Sequence, residues 1–310
     1  MVARAGQAAL VTGASSGIGR ATAVLLAERG WYVFAGVRRD SDAELMGDLL
    51  GDYGQPVLLD VTDPRSLLEA EVVVRGSGGL DALVNNAGIA VAAPLEYLPL
   101  ADFRRQLEVN LTGQLAATQT FLPHLRSSGG RIVFVGSISG RVANPLLGPY
   151  VASKFALAGL ADTLRTELAP SGVAVSLLEP GPIATDIWRR SREVGLALAR
   201  RLPVDARRRY GTMIEAFEQL AGSVEARALP PRSVATIVHR ALTAVHPKPR
   251  YLIGREAWVG AAFAMLPARL RARIMEFQVR GHGVRPRLSA VRPEDGGEGV
   301  PPSDLRAVRP

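Results

Sequence analysis

The 310-residue chain contains no cysteine and only two lysines, although it contains 35 arginines. The absence of cysteine excludes disulfides, thiolate metal sites and a cysteine nucleophile. No apolar run reaches about 18 residues, so we expect no transmembrane helix. A strand pattern begins within about seven residues of the first methionine, which leaves no room for the apolar part of a signal peptide. These features are compatible with a cytoplasmic protein.

Charge is distributed unevenly along the chain, and aromatic residues are few. Residues 1–185 carry 14 basic against 17 acidic side chains, whereas residues 186–310 carry 23 against 12. A basic half of this kind can attract nucleic acid, an anionic membrane surface or an anionic substrate. Aromatic residues make up only 5% of the chain, which argues against binding of single-stranded nucleic acid. We therefore interpret most of these arginines as solvated helix faces and expect no nucleic-acid partner.

Short apolar segments alternate with longer amphipathic ones. Segments rich in Val, Leu and Ile predict strands buried on both faces at 7–14, 31–37, 55–61, 80–88, 130–137, 173–181 and 250–254. Helices are predicted at 17–29, 41–50, 64–74, 100–127, 150–170 and 233–245. The third is expected to be truncated, because "EVVVRGSGG" is an unfavourable helix end. This alternation predicts an α/β fold, a Rossmann-type doubly wound parallel sheet with helices on both faces, formed by residues 1–254 as one domain.

Three segments depart from this alternation. Residues 186–230 form a helical insertion between two strands, and residues 255–280 form a further amphipathic helical stretch. Residues 281–310 are rich in Pro, Gly and Arg, a composition typical of a disordered tail. Arginines and apolar side chains in 255–280 also fit a helix lying on a membrane surface. We expect that stretch instead to pack on the protein itself or on a second subunit.

A glycine-rich loop follows the first predicted strand and opens the first helix. In "LVTGASSGIGRA", Gly13, Gly17 and Gly19 allow a tight turn and a close approach of the backbone to a pyrophosphate. Phosphates then lie at the helix N-terminus, where the helix dipole favours anions. The position between strand and helix indicates a dinucleotide site.

The end of the second strand bears on which dinucleotide is bound. NAD-specific sites usually place an acidic residue there to bind the ribose 2′-hydroxyl. Here Val37 is followed by Arg38 and Arg39, and a guanidinium can bind a 2′-phosphate through paired hydrogen bonds. The pattern favours NADP(H) over NAD(H), with Arg38 as the leading contact; the alternative is a solvated loop in which Asp40 competes for the arginines.

Lys154, one of the two lysines, lies four residues after Tyr150 on a predicted helix. Residues i and i+4 lie on the same helix face, so the ammonium can stabilise a phenolate and lower the pKa of the tyrosine. A compact ammonium can serve the phenolate and ribose hydroxyls together, which a wide guanidinium fork cannot. Ser137 ends the fifth strand, and Asn110 interrupts an apolar helix face where a buried amide requires a partner. These four residues predict an acid–base site.

The sequence resembles the short-chain dehydrogenase/reductases, closest in pattern to their hydroxysteroid and retinol dehydrogenase-like branch. The resemblance covers residues 7–185 closely and 230–254 more loosely, and rests on "TGASSGIG", "DVT", "NNAG", Asn110, Ser137, "YVASK" and "EPGPIAT". It implies hydride exchange between NADP(H) and an alcohol/carbonyl pair. Tyr150 would be the acid/base, Lys154 its electrostatic support, Ser137 the carbonyl orienter, and Asn110 the holder of a water that links Lys154 to solvent.

The resemblance and the loop patterns together give a set of cofactor-binding candidates. They are Gly13, Ser15, Ser16, Gly17, Ile18, Gly19, Arg38, Arg39, Asp60, Val61, Asn86, Ala87, Gly88, Tyr150, Lys154, Pro180, Gly181, Ile183 and Thr185. Asp60 and Val61 would contact the adenine side, and the residues from Pro180 onward the nicotinamide side. No metal site is predicted.

The substrate is expected to be a small-molecule carbonyl or alcohol with a lipid-like, steroid-like or retinoid-like body. The pocket candidates besides Ser137 are apolar: Leu146, Leu147, Ile187, Trp188, Met213 and Phe217. A 3-oxoacyl thioester reductase, whose basic half would receive a carrier protein or coenzyme phosphates, is an alternative. A dinucleotide-sensing binding protein is a non-enzyme alternative. The apolar faces of 100–127 and 150–170 predict a homodimer or homotetramer, by similarity to the family.

Overall fold

The computed structural model describes residues 6–225 and 227–281. A single sheet of seven parallel strands forms its centre, in the order β3-β2-β1-β4-β5-β6-β7. The strands are β1 (Ala8–Thr12), β2 (Tyr32–Val37), β3 (Gly54–Leu58), β4 (Ala82–Asn85), β5 (Arg131–Val135), β6 (Ala174–Pro180) and β7 (Arg250–Ile253). The predicted fold class is therefore confirmed.

Strand order reverses between β1 and β4. From β1 the chain builds outward through β2 and β3, then returns to place β4 on the other side of β1. Loops leaving the carboxyl ends of β1 and β4 therefore diverge, and a crevice opens between them, which is where ligands bind in sheets of this type. Every residue of β1 and of β4 is buried, as their continuous apolar sequence predicts.

Helices cover both faces of the sheet. They are α1 (Gly17–Glu28), α2 (Asp40–Leu50), α3 (Pro64–Gly76), α4 (Leu100–Leu107), α5 (Gly113–Ser128), α6 (Gly148–Leu168), α7 (Asp186–Arg200), α8 (Val204–Glu225), α9 (Pro231–Thr243), α10 (Arg255–Ala264) and α11 (Ala268–Gly281). Apolar side chains of α3, α5 and α6 form one core with the sheet, and those of α1, α2 and α9 form the other. Large fully buried side chains such as Phe34, Phe121 and Phe134 fill these layers.

Three predicted helical segments differ from the structure in detail. The truncation expected for the third helix is wrong, because α3 spans 13 residues to Gly76 and is capped by the Asp63 carboxylate. The predicted 100–127 helix is divided into α4 and α5 by a π-helical turn, Glu108–Thr112. The 255–280 stretch forms α10 and α11 rather than one helix, since Pro267 between them has no backbone N–H to continue α10.

The 186–230 insertion forms α7 and α8, two helices outside the sheet layers. Its two ends are tied together, because Ala184 donates to the Leu229 carbonyl and Leu229 donates to the Pro182 carbonyl, at 2.9 and 3.1 Å. The predicted disordered tail lies outside the described residues from position 282 onward. No described helix combines the length and apolarity needed to cross a bilayer.

A buried ion network fastens the end of β6 to its neighbours. The Glu179 carboxylate, which is 1% exposed, accepts two hydrogen bonds of 2.7 Å from Arg141 and one of 3.0 Å from Arg250. Arg250 also pairs with Asp162 on α6, and Arg165 pairs with the same Asp162 at 2.6 Å. Arg141 lies four residues after Ser137, and Glu179 directly precedes Pro180. The network therefore fixes two loops that border the crevice.

Replacement of Glu179 by Ala should lower the free energy of unfolding by about 2 kcal/mol or more, because two arginines lose their buried acceptor. Arg141 and Arg250 are about 30% exposed, so water compensates part of the loss. Urea unfolding followed by circular dichroism measures the change. The matched control is Glu28→Ala, which removes an exposed pair with Arg232 and should leave the urea midpoint nearly unchanged. Equal shifts in the two variants would contradict this account.

Candidate active site

A cleft of about 660 Å³ lies at the carboxyl ends of the strands, above the reversal point between β1 and β4. It brings together most of the residues predicted from the sequence. Those that line it are Gly13, Ser15, Ser16, Gly17, Ile18, Arg38, Asp60, Val61, Asn86, Ala87, Gly88, Ser137, Tyr150, Lys154, Pro180, Gly181, Ile183, Thr185, Ile187 and Trp188. Segments widely separated in sequence therefore share one cavity.

The glycine loop at one end of the cleft requires its glycines for steric reasons. Gly13 and Gly17 have φ values of +67° and +55°, a region that side chains disfavour. Gly19 does not line the cleft. A Cβ there would lie 2.2 Å from the Gly13 carbonyl oxygen and 2.5 Å from the Asn86 amide nitrogen. Gly19 thus permits the loop to close on itself beneath the cleft.

Asn86 joins the loop after β4 to the loop after β1. Its side-chain amide donates to the carbonyls of Thr12 and Gly13 at 2.9 and 3.1 Å. The Thr12 hydroxyl accepts from the backbone N–H groups of Asn86 and Ala87 at 2.9 and 3.0 Å. Both floor loops of the cleft are therefore held at fixed separation.

The donor set at this end fits a dinucleotide. α1 begins at Gly17, its N-cap Ser16 makes no side-chain hydrogen bond to the helix, and its first turn contains no acidic residue. The first N–H groups of a helix have no partner within the helix, so here they remain available to a phosphate at the cleft. Asp60 lies at the cleft with its carboxylate oriented by the Thr62 N–H and hydroxyl, at 2.9 and 2.7 Å.

The two predicted arginines have different positions. Arg38 lines the cleft, whereas Arg39 does not. Arg39 forms a paired hydrogen bond with Asp42 on α2, at 2.8 and 3.0 Å. The pKa of the Asp42 carboxyl is accordingly lowered, chiefly by this hydrogen bond. Arg39 thus pairs with a residue of the adjoining helix. The acid that competes with a phosphate for the arginine is Asp42 rather than Asp40.

Tyr150 and Lys154 lie on α6 at the opposite end of the cleft from the glycine loop, and both are buried. The Lys154 Nζ lies 5.6 Å from the centre of the Tyr150 ring. It donates to the Val135 carbonyl of β5 at 2.8 Å. Burial lowers the pKa of Lys154 to about 8, because the interior disfavours the charged ammonium.

Burial also raises the pKa of Tyr150, and a hydrogen bond with Ser137 offsets only part of that rise. The lowered pKa predicted for Tyr150 is therefore not found, because desolvation is the largest influence on that pKa and acts in the opposite direction. Ser137 is itself oriented by the Ser139 N–H, which donates to its hydroxyl at 3.1 Å. At neutral pH the site holds a protonated phenol beside a charged ammonium.

Asn110 lies behind the cleft rather than in its wall. It belongs to the π-helical turn between α4 and α5, a local distortion frequent at functional sites. Its side chain accepts from the Ile89 N–H at 2.9 Å and donates to the Ile89 carbonyl and the Ser153 hydroxyl, at 3.0 and 3.1 Å. The partners predicted for this buried amide are thus found, and they connect the loop after β4 to α6.

Apolar side chains surround Tyr150. Its ring packs edge-to-face against Trp188 of α7, with ring centres 5.8 Å apart. Leu147 and Phe217 belong to the same cluster as Tyr150, but neither lines the cleft. Leu146 is buried with a φ of +64° and Met213 is partly buried, and they do not line it either. The predicted substrate wall therefore reduces to Ser137, Ile187 and Trp188 at the cleft, with Leu147 and Phe217 packed in support.

Several residues at the cleft are not among those predicted from the sequence. They include Ile89, Ala90 and Val91 after β4, and Asp186, Arg190 and Val194 on α7. No local pattern distinguishes Arg190 from the neighbouring arginines of the insertion, since its position depends on how α7 crosses the cleft. Among the described residues, no cluster of His, Asp or Glu could hold a metal ion.

The chain is similar to known proteins over most of its length. The short chain dehydrogenase family matches residues 7–194. An NADPH-dependent 3-dehydrocapnine reductase from Ornithobacterium rhinotracheale is 34% identical over 276 residues, which cover 86% of this chain and 95% of that protein. Retinol dehydrogenase 5 from Mus musculus is 38% identical over 275 residues, covering 84% and 85% of the two chains.

A solved structure is similar over nearly the same extent. The short chain dehydrogenase from Burkholderia cenocepacia, determined in complex with NADP, has a TM-score of 0.68 and 30% identity. The match covers 87% of this chain and 98% of that one. By its sequence and its sheet topology, the chain belongs to the short-chain dehydrogenase family of oxidoreductases, in its retinol and hydroxysteroid dehydrogenase-like branch.

Proposed function

We propose that this protein is an NADP(H)-dependent oxidoreductase that interconverts a carbonyl and an alcohol on an apolar, steroid-, retinoid- or other lipid-like substrate. The observation that carries the proposal is one cleft with two chemically different ends. At one end lie the glycine loop and Arg38, and at the other lie Ser137, Tyr150 and Lys154 beside Trp188. Such a cleft fits a dinucleotide laid across the strand ends with a substrate carbonyl at the tyrosine.

The residues that would hold the cofactor all line the one cleft. The uncapped start of α1 would bind the pyrophosphate, Arg38 the 2′-phosphate, and Asp60 the adenine side. Lys154 would bind the nicotinamide ribose, and Pro180 to Thr185 would border the nicotinamide. When bound, the nicotinamide supplies or accepts the hydride.

Tyr150 would move the proton that accompanies the hydride. Its raised pKa keeps the phenol protonated at neutral pH, which is the form that donates a proton to a carbonyl oxygen during reduction. Ser137, which lines the cleft together with Tyr150, would hold the same oxygen in place. Lys154 would stabilise the phenolate formed when the proton leaves, because an ammonium nearby favours the charged form.

Asn110 would support this proton transfer indirectly. Its hydrogen bonds to Ile89 and Ser153 place the π-helical turn against α6, the helix that carries Tyr150 and Lys154. A water held at this turn would connect Lys154 to solvent and allow the proton to be replaced.

The walls near Tyr150 support an apolar substrate. Ile187 and Trp188 of α7 pack with Ala90 and Tyr150 in one apolar cluster. Val91 and Val194 also line the cleft. Apolar walls with a few polar groups at one point are typical of small-molecule sites. The names of the retinol dehydrogenase and dehydrocapnine reductase relatives are consistent with such a substrate.

We further propose that the chain forms a homodimer or homotetramer through α4, α5 and α6. Large apolar side chains on two of these helices are exposed, including Leu100 on α4 and Phe155 on α6. A second copy would remove them from water.

The proposed chemistry predicts that Tyr150→Phe loses turnover while retaining the cofactor. The substitution removes only the hydroxyl, so the loss should be about a hundredfold or more for a general acid. NADPH absorbance, followed with retinal, a steroid ketone and an acetoacetyl thioester, measures turnover, and calorimetry measures NADPH binding. Turnover of the thioester alone would contradict the apolar substrate, and full activity of Tyr150→Phe would contradict the assigned acid.

The lowered pKa of Lys154 predicts an alkaline limit to activity. The folded protein holds the ammonium below about pH 8 and loses its charge above that pH, so kcat/KM for NADPH should fall as pH rises through about 8. Lys154→Arg should be slower but should keep its charge, which moves this limb to higher pH. An alkaline limb at the same pH in both enzymes would assign it to another group.

The positions of Arg38 and Arg39 predict unequal effects on cofactor choice. Arg38→Gln should weaken NADPH binding by about tenfold or more and leave NADH unchanged, because a charge-assisted hydrogen bond to phosphate is lost. Arg39→Gln, the same change one residue away, should have a small effect since that side chain pairs with Asp42. Calorimetric Kd values for both nucleotides test this. Equal preference of the wild-type protein for NADH would contradict the NADP(H) assignment.

A further inference from the structure

The helix α7 lies against the cofactor end of the cleft as well as against Tyr150. It begins at Asp186, directly after Thr185, and a Cβ added to Gly17 at the start of α1 would lie only 3.0 Å from the Thr185 methyl group. Hydrogen bonds between Pro182, Ala184 and Leu229 fix the root of the insertion at that point. The first turns of α7 are therefore held close to where α1 presents its free N–H groups.

Arg190, in the second turn of α7, lines the same cleft as Arg38, Ser15 and Ser16. Its ion pair with Asp186 is long, 3.9 Å, and its side chain is 52% exposed. A long exposed pair of this kind contributes little stability, so the guanidinium is readily redirected to a stronger anion.

The carboxylates facing these arginines are already partly neutralised. Arg39 holds Asp42 in a paired hydrogen bond, and Asp186 pairs with Arg189 at 3.4 Å. Arg190 and Arg38 also act on the Asp42 carboxyl, adding smaller contributions to its lowered pKa. Arg190 and Arg38 thus line one cleft and both act on a carboxylate in the first turn of α2, beside the position where the sequence predicts the 2′-phosphate.

We propose that Arg190 and Arg38 bind the 2′-phosphate of the dinucleotide from opposite sides, so that α7 of the insertion itself recognises NADP(H). A phosphate monoester offers three acceptor oxygens, enough for two guanidinium forks, whereas NAD(H) offers only a hydroxyl at that position. Binding of the phosphorylated cofactor then fastens α7 over the cleft. This inference rests on the proposed NADP(H) function. It adds Arg190 to Arg38 as a second contact to the 2′-phosphate.

The test compares Arg190→Gln with Arg189→Gln, the same change on the neighbouring residue. Arg189 pairs with Glu193 and Asp186, is 56% exposed and lies outside the cleft lining. Calorimetry with NADP+ and NAD+, which differ only in the 2′-phosphate, gives Kd for each variant. We expect Arg190→Gln to weaken NADP+ by about tenfold and leave NAD+ unchanged. Arg189→Gln should stay within about twofold of wild type for both, and Arg190→Lys should be intermediate.

A second measurement follows α7 itself. Amide hydrogen exchange in residues 186–200 should slow when NADP+ is added to the wild type and to Arg189→Gln, but not when it is added to Arg190→Gln. If wild type binds NADP+ and NAD+ equally, the proposed NADP(H) function fails. If wild type prefers NADP+ and Arg38→Gln loses that preference while Arg190→Gln keeps it, the function stands and the role of Arg190 is overturned. Thermal unfolding of each variant confirms that it is folded.

Discussion

The cleft depends on one contact, that between the loops leaving β1 and β4. These loops diverge at the reversal of the strand order, and nothing in a parallel sheet by itself sets their separation. Asn86 sets this separation. Its side-chain amide donates to the carbonyls of Thr12 and Gly13, and the Thr12 hydroxyl accepts from the backbone N–H groups of Asn86 and Ala87. The contact is close enough that Gly19 admits no side chain. A glycine loop fixed in this way presents the start of α1 to the cleft.

Burial acts on Tyr150 and Lys154 in opposite senses and thereby sets the charge of the reacting end. Desolvation disfavours any charged form, so the pKa of the tyrosine rises and that of the lysine falls to about 8. Each shift brings the site toward a neutral pair, but at neutral pH the lysine retains its proton. The Val135 carbonyl, 2.8 Å from its nitrogen, helps to keep that ammonium in place. A protonated acid beside a fixed cation is the arrangement that delivers a proton and then holds the resulting anion.

The sheet and most of the cleft could be predicted because their determinants are local. Buried strands show as continuous apolar runs, a close turn requires glycine, and the i, i+4 spacing places Tyr150 and Lys154 on one face whatever surrounds the helix. Arg39 does not line the cleft, because its guanidinium is paired with Asp42 in the first turn of α2, at 2.8 Å. Arg190 lines the cleft, whereas Met213 and Leu146 do not. These positions depend on how the insertion packs. That packing is a tertiary property with no short-range pattern.

The insertion couples the two ends of the cleft through a single helix. Trp188 and Arg190 are two residues apart, and at 3.6 residues per turn such side chains point to nearly opposite sides of a helix. Both nevertheless line the cleft, with Trp188 packed on Tyr150 and Arg190 close enough to Asp42 to lower the pKa of its carboxyl. A shift of α7 cannot then alter one end alone. If cofactor binding orders this helix as we propose, it also positions Trp188 beside Tyr150, where we propose that the substrate carbonyl binds.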